Sequence, residues 1–151
     1  MKKIKLSENL ELSQVVMGCM RIADSNLTEN ELLDLVEKCL DMGVTSIDHA
    51  PVYGGYTCEK IFGDAVLRKR PELRDKMQLI TKAGIVCPGH YGNKTIYYKS
   101  TKEEILKEMD ESLEKLGTDH VDLLLIHRPD PLADPAETAD ALETVVKQGK
   151  A

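Results

Sequence analysis

The chain has 151 residues, of which 42% are hydrophobic and 30% are charged, a composition typical of a globular domain rather than of a disordered segment. The formal net charge is −6 and the basic residues form no stripe, so we expect neither a nucleic-acid partner nor an anionic membrane partner. No apolar run approaches the roughly 18 residues of a membrane-spanning helix, and the widely spaced cysteines indicate reduced thiols and a cytoplasmic protein.

The pattern of apolar residues predicts a short hairpin followed by four strand–helix units. The hairpin covers residues 3–14 and turns near Glu8 and Asn9. The four strands are predicted at residues 15–18, 44–48, 77–82 and 121–127. The helices are predicted between residues 28 and 43, 58 and 69, 100 and 117, and 134 and 149. Such units in series imply a parallel sheet covered by helices, and the nearly continuous apolar character of the last strand favours burial of both its faces.

Capping residues support these helix limits. Thr28 with Glu31, and Ser100 with Glu103, have the spacing of a capping box. Asp134 precedes a proline, which is the usual order of an N-cap and a first helical residue. A proline or a glycine follows each helix, as expected where helices stop.

Residues that carry chemistry follow the predicted strands. Asp48, Lys82 and His127 end the second, third and fourth strands. Gly18 and Cys19 end the first, where bare backbone can approach a ligand. Because active sites of parallel α/β folds lie beyond the carboxyl ends of the strands, we expect these residues to share one rim.

The stretch SIDHAPVYGG, residues 46–55, adds a phenol to this rim. An unperturbed phenol has a pKa of about 10, and a neighbouring ammonium stabilises its phenolate. Lys82 can supply that ammonium and Asp48 can hold the lysine, so that Tyr53 gives a proton to a carbonyl oxygen. His127 can donate a hydrogen bond to the same oxygen. The set has no hydride source, so a nicotinamide has to provide one.

Three motifs, taken in order, resemble the aldo-keto reductases: SIDHAPVYG, LITKAGI and LLLIHRPD. The resemblance covers essentially the whole chain and looks most like the YdhF-like bacterial branch. It implies an α/β fold of the (β/α)8 TIM-barrel family with a hairpin below the barrel. It also implies NADP(H) as cofactor and reduction of aldehydes and ketones to alcohols. The family's catalytic residues would fall on Asp48, Tyr53 as proton donor, Lys82 and His127.

The resemblance also assigns binding residues. The nicotinamide end of the cofactor would be met by Gly18, Cys19, Met20 and Asp48. Candidates for the pocket of a small carbonyl substrate are His49, Tyr56, Tyr91 and Arg128. The alternative for His49 is that it only packs against its neighbours. Two loops on the same side, residues 83–99 and 128–133, are expected to shape access to that pocket.

The predicted strands make only half of such a barrel. A (β/α)8 domain has eight strands and about 250 residues. We therefore interpret residues 1–151 as a single domain, the N-terminal half of an aldo-keto reductase fold with a hairpin and four βα units, truncated after the fourth. Most cofactor phosphate and adenosine contacts would lie in the missing half, so we expect the chain alone to be weakly active or inactive. Two alternatives to a truncated chain stay open: a half-barrel that dimerises into a closed barrel, and a stable half-barrel monomer. The open sheet edges favour self-association.

Two other functions stay open at this point. One is a metal-dependent TIM-barrel hydrolase, with zinc or manganese held by Asp48, His49, His127 and Asp130. Lys82 on the adjacent strand would oppose that cation, and an H-x-H pair is absent from the sequence. The other is a non-catalytic nicotinamide-binding protein, or a relic half-barrel. The predicted convergence of all four catalytic residues favours the reductase.

Overall fold

A computed structural model describes residues 1–92 and 94–151, with only the backbone at residue 91. The strands are, in chain order, β1 (Lys3–Lys5), β2 (Glu11–Ser13), β3 (Val16–Gly18), β4 (Ser46–Asp48), β5 (Gln78–Ala83), β6 (Ile85–Val86), β7 (Tyr97–Tyr98) and β8 (Leu123–Ile126). The α-helices are α1 (Glu29–Asp41), α2 (Cys58–Phe62), α3 (Lys102–Leu116) and α4 (Pro135–Lys147). Within the described residues, no helix has the length and apolar character that a bilayer crossing requires.

Four parallel strands form the central sheet in the order β3-β4-β5-β8, which confirms the predicted parallel sheet. The predicted N-terminal hairpin is also present, because β1 and β2 pair antiparallel. Gly18 lies opposite Asp48, and Asp48 lies opposite Ile80, so the ends of the first three strands are in register. The β5 strand runs further and pairs Lys82 with Leu125 of β8.

Alternation along the strands divides the sheet into two faces. Ile47 and Leu79 lie on one face and are fully buried in the hydrophobic core. Helical residues that share this core include Val36, Phe62, Met109, Leu113 and Val145. The opposite face carries Asp48 and Lys82, whose side chains are 27% and 11% exposed, respectively. The core therefore lies between the sheet and the helices, and Asp48 and Lys82 lie on the other side.

The structure corrects the prediction that the last strand is covered on both faces. Leu125 in β8 is 39% exposed, while Leu124 packs against the core. The helices cover the side of β8 that carries Leu124, and the side that carries Leu125 is left exposed. Its continuous apolar sequence therefore does not indicate burial on both faces here.

The helix predicted at residues 58–69 changes its winding after Phe62. Residues Gly63–Leu67 are π-helical, and the Arg68 N–H donates to the Gly63 carbonyl over 2.9 Å. A Cβ atom at Gly63 would lie 2.2 Å from the carbonyl oxygen of Lys115 at the end of α3. The wider π-helical turn thus occurs where α3 approaches Gly63 closely. The local sequence does not reveal this contact between the two helices.

The cap of α3 lies one residue later than predicted. The hydroxyl of Thr101, rather than that of Ser100, accepts a hydrogen bond from the Glu104 N–H over 3.4 Å. Ser100 is buried instead, and its carbonyl oxygen accepts a hydrogen bond from Thr138. By contrast, the capping box at Thr28 and the cap at Asp134 are confirmed.

Candidate active site

Asp48, Lys82 and Tyr53 form one hydrogen-bonded cluster at the carboxyl edge of the sheet. Lys82 Nζ lies 2.6 Å from Asp48 Oδ1 and 3.0 Å from Tyr53 Oη. The Tyr53 hydroxyl in turn donates to Asp48 Oδ2 over 3.1 Å. Asp48 ends β4 and Lys82 lies on β5, so neighbouring strands present both groups on one face, and the turn after β4 brings the phenol above them.

His127, the residue after β8, lies against the Tyr53 ring of this cluster. Its backbone N–H donates to the Ala83 carbonyl over 2.8 Å, which continues the β5–β8 ladder past Ile126. Its ring centroid lies 5.9 Å from that of Tyr53, with the rings nearly perpendicular. Burial, followed by the charges of Lys82 and Arg128, lowers the pKa of His127 below its ordinary value. The imidazole is therefore neutral near pH 7, with one N–H to donate.

The end of β3 offers an open surface beside Asp48. A Cβ atom built on Gly18 meets no heavy atom within 4 Å. The Cys19 N–H donates to the Asp48 carbonyl over 2.9 Å, while the Cys19 thiol is buried in the core, where burial raises its pKa. Met20 is half exposed. A planar ring could therefore approach Gly18, and Cys19 could contribute only its backbone.

His49 does not present its ring to this rim. The side chain is fully buried, and its ring packs edge-on against Phe62 with 4.6 Å between centroids. Neither ring nitrogen has a hydrogen-bond partner among the described residues. Burial, with a further contribution from the Lys82 charge, lowers the pKa of His49 to about 3. Only its backbone carbonyl reaches the site, where it accepts a hydrogen bond from Lys82 Nζ over 2.7 Å.

The other pocket candidates lie at the periphery. The Tyr56 ring stacks on His90 with 3.7 Å between centroids, and its hydroxyl accepts the Cys87 N–H over 2.7 Å. Burial raises the pKa of Tyr56 to about 12. Arg128 is exposed next to His127, and the side chain of Tyr91 lies outside the described residues. Tyr56 thus attaches the loop of residues 83–99, which contains the β6–β7 hairpin, to the turn after β4.

The ligands of the hydrolase alternative are not brought together. The His49 ring lies in the core, and an Asp130 carboxylate oxygen accepts the N–H of Leu132 within its own loop. Over residues 1–92 and 94–151, no three side chains of the His, Cys, Asp or Glu types are grouped so that they could hold a metal ion. Asp48 is instead engaged by Lys82 and Tyr53.

Sequence analysis missed two buried carboxylates behind the cluster. Glu59 on α2 accepts a hydrogen bond from the Thr81 hydroxyl over 2.7 Å. Glu108 on α3 accepts the N–H of Gly84 over 2.6 Å. A signal for the first was present, because Glu59 lies three positions before Phe62 and shares the apolar face of its helix.

Comparison with known proteins shows the family to which the chain belongs. The model of the Aldo/keto reductase family matches residues 14–151, and the chain belongs to that family. Oxidoreductase YdhF of Escherichia coli K12 is 45% identical, covering 93% of this chain and 47% of that protein. The 6-dehydroglucose reductase of Agrobacterium fabrum C58 is 46% identical, covering 99% and 51%. The predicted family is therefore confirmed.

A solved structure shows the same fold. The aldo-keto reductase AKR11C1 from Bacillus halodurans, in its holo form, matches with a TM-score of 0.81 and 27% identity. The match covers 99% of this chain and 47% of that one. The predicted α/β fold of the TIM-barrel family is confirmed, and the chain spans about half the length of the curated relatives it matches.

Proposed function

We propose that this protein reduces aldehydes or ketones to alcohols with a nicotinamide cofactor, and that Tyr53 is the proton donor. The observation that carries the proposal is the position of the Lys82 ammonium. It lies 3.0 Å from the phenol oxygen of Tyr53 while Asp48 pairs with it over 2.6 Å. This arrangement suits a phenol that gives up its proton and is left as a phenolate beside a positive charge.

Each residue has a defined part in that step. Tyr53 transfers its hydroxyl proton to the carbonyl oxygen of the substrate. Lys82 stabilises the phenolate that remains, and Asp48 keeps the ammonium in place. His127, as a neutral imidazole, donates an N–H to the same carbonyl oxygen and orients it. The cofactor, when bound, supplies the hydride that adds to the carbonyl carbon.

The open face at Gly18 supports a nicotinamide next to this cluster. Because a side chain at this position would occupy free space, the bare backbone leaves room for a flat ring beside Asp48. We propose NADP(H) as the cofactor, with Gly18, Met20 and the backbone of Cys19 around the nicotinamide. The name of the Agrobacterium relative suggests a hydroxylated aldehyde as substrate, and exposed Arg128 suits such a polar molecule.

Finer expectations about the chain accompany this proposal. We propose that residues 1–151 form one domain of the barrel type and that the chain alone binds NADPH weakly. In the family, most cofactor phosphate contacts lie in the part that this chain does not match. All four cysteines are free thiols, which supports a reducing, cytoplasmic environment. The exposed edge strand β8 supports self-association.

The proposal is tested by Tyr53→Phe, with Tyr98→Phe as the control. Turnover is measured in a longer protein that contains residues 1–151, because the chain alone is expected to be weakly active or inactive. Tyr98 lies on β7 and is 43% exposed, so Tyr98→Phe removes the same phenol hydroxyl at a position away from the cluster. We expect Tyr53→Phe to lower kcat by about 100-fold or more, since general acid catalysis contributes that much, while NADPH binding measured by fluorescence is retained. Tyr98→Phe should leave turnover near that of the unmodified protein.

Other outcomes contradict the proposal. Undiminished reduction by Tyr53→Phe would remove the phenol from the reaction. If a longer protein that contains residues 1–151 binds NADPH yet reduces none of a panel of aldehydes and ketones, the non-catalytic binding function is favoured instead. Turnover that a chelator abolishes and zinc restores would favour a metal-dependent reaction.

A further inference from the structure

The carboxylate of Glu59 is buried behind the strand that carries Lys82. Glu59 is 1% exposed, and its two hydroxyl partners, Thr81 and Ser112, are fully buried. Glu59 Oε1 accepts from Thr81 over 2.7 Å, and Oε2 accepts from Ser112 over 3.2 Å. One side chain thus links α2 to β5 and to α3, and both of its oxygens are used.

These hydrogen bonds lie on the helix side of β5, directly behind Lys82. Thr81 immediately precedes Lys82, and successive strand residues point to opposite faces, so Thr81 faces the helices while Lys82 faces the cluster. Burial raises the pKa of Glu59, and hydrogen bonds from Thr81 and Ser112 oppose that shift, as do the charges of Lys115 and Lys82. The Lys82 charge is the smallest of these contributions, so the connection between Glu59 and Lys82 rests on the hydrogen bond to Thr81.

The β5 strand loses one of its two neighbouring strands at this point. Its ladder with β4 ends where Asp48 pairs with Ile80, one residue before Thr81. Beyond Ile80, the strand pairs only with β8, an edge of the described sheet. The Glu59–Thr81 bond ties the strand to the helix layer one residue before Lys82, and the bond from the Gly84 N–H to Glu108 ties it two residues after Lys82.

We propose that Glu59 is a positioning residue that holds Lys82 at Tyr53 by fixing Thr81 to α2 and α3. Its effect is indirect, because Glu59 contacts Thr81 on the helix side of the strand rather than the groups in the cluster. The inference rests on the proposed function only in giving Lys82 its catalytic part. The position of Lys82 can be measured without turnover, so failure of one proposal is distinguishable from failure of the other.

The test measures how tightly the Lys82 ammonium is held. Nuclear magnetic resonance of the lysine ammonium groups gives the exchange rate of their protons with water, and Lys82→Arg assigns the Lys82 signal. Glu59→Met removes both hydrogen bonds at similar volume, and Glu59→Gln keeps an acceptor for Thr81 and a donor for Ser112. Val36→Ala, in the α1 part of the core, is the control for general loss of stability.

We expect Glu59→Met to speed exchange of the Lys82 ammonium protons about tenfold or more, the change given by about 1.4 kcal/mol. Glu59→Gln and Val36→Ala should stay within about twofold of the unmodified protein, since neither removes the link. If wild-type turnover is measurable, Glu59→Met should lower kcat more than it raises KM. Should Glu59→Met fail to fold, Thr81→Val deletes only the hydroxyl that binds Glu59 and should give the same faster exchange.

The proposal is overturned if Glu59→Met, or Thr81→Val in its place, leaves the Lys82 exchange rate unchanged. It is equally overturned if Val36→Ala speeds exchange as much, because the effect would then come from general destabilisation. A wild-type protein whose Lys82 protons exchange as fast as those of exposed lysines would overturn it too. Loss of turnover alone, without a change in exchange, would assign Glu59 a role other than positioning Lys82.

Discussion

His49 gives the protein a pH-dependent stability that can be measured without substrate or cofactor. Its ring is fully buried against Phe62, and both ring nitrogens lack hydrogen-bond partners among the described residues. Protonation would place an unpaired charge in the core, beside the Lys82 ammonium. We therefore expect His49→Leu, a change to a side chain of similar volume, to make the stability of the fold less sensitive to acid.

The magnitude follows from the two pKa values of this histidine. Burial lowers the folded-state pKa of His49 to about 3, whereas an unfolded chain has the ordinary value of 6.5. The lowered value means that the unfolded state binds the proton first, so stability is fully present above pH 6.5 and is lost as the pH falls towards 3. At about pH 4.5 this amounts to about 3 kcal/mol, taking about 1.4 kcal/mol per pKa unit.

Urea unfolding followed by circular dichroism measures this effect between about pH 7.5 and about pH 4.5. As the pH falls over that interval, the free energy of unfolding of His49→Leu should rise by about 3 kcal/mol relative to that of the unmodified protein. At neutral pH it should already be at least as stable, because two unpaired buried nitrogens are removed. His120→Leu, at a side chain that is 45% exposed, is the control. A stability difference between His49→Leu and the unmodified protein that does not vary with pH would refute the reasoning.

Two further predictions concern stability. Burial raises the pKa of Glu108 to about 7, so the folded state favours the protonated carboxyl group. The contribution of this group to the stability of the fold is therefore fully present below about pH 4.5 and is lost as the pH rises through 7. Glu108→Gln should therefore gain about 2 to 3 kcal/mol over the unmodified protein between about pH 5 and about pH 8. If urea unfolding shows that Glu108→Gln loses stability relative to the unmodified protein over this pH interval, the prediction is contradicted. Gly63→Ala should destabilise the fold by about 1–3 kcal/mol, because its Cβ would overlap a carbonyl oxygen of α3. Gly18→Ala, at an open position, should change stability by less than about 0.5 kcal/mol, and equal losses in the two alanine variants would contradict the overlap.

The rim cluster was accessible to sequence analysis for a topological reason. Parallel strands joined by helices place their carboxyl ends at one edge, so residues that end successive strands become neighbours although they are far apart in the chain. Asp48 and Lys82 meet at 2.6 Å for this reason. Helix limits set by local hydrogen bonds, such as the capping box at Thr28, were accessible because cap and partner are close in sequence.

Side-chain direction beyond the strand ends was not accessible in the same way. His49 follows Asp48 directly and was a candidate for the substrate pocket, but its ring packs against Phe62, which comes from a different element. The shift of the α3 cap from Ser100 to Thr101 and the π-helical turn at Gly63 both depend on contacts with elements distant in sequence. Glu59 lies on an apolar helix face, yet its partners Thr81 and Ser112 come from two other elements.

The sequence by itself determined the series of strand–helix units, the parallel sheet and the residues that end its strands, because periodicity and caps are local properties. Only the tertiary structure decided that the Lys82 ammonium lies 3.0 Å from the Tyr53 phenol and that a buried carboxylate stands behind it. It also decided that β8 keeps an exposed face. The physical reason is that distances between groups on different elements depend on how helices and strands pack, which no single segment encodes.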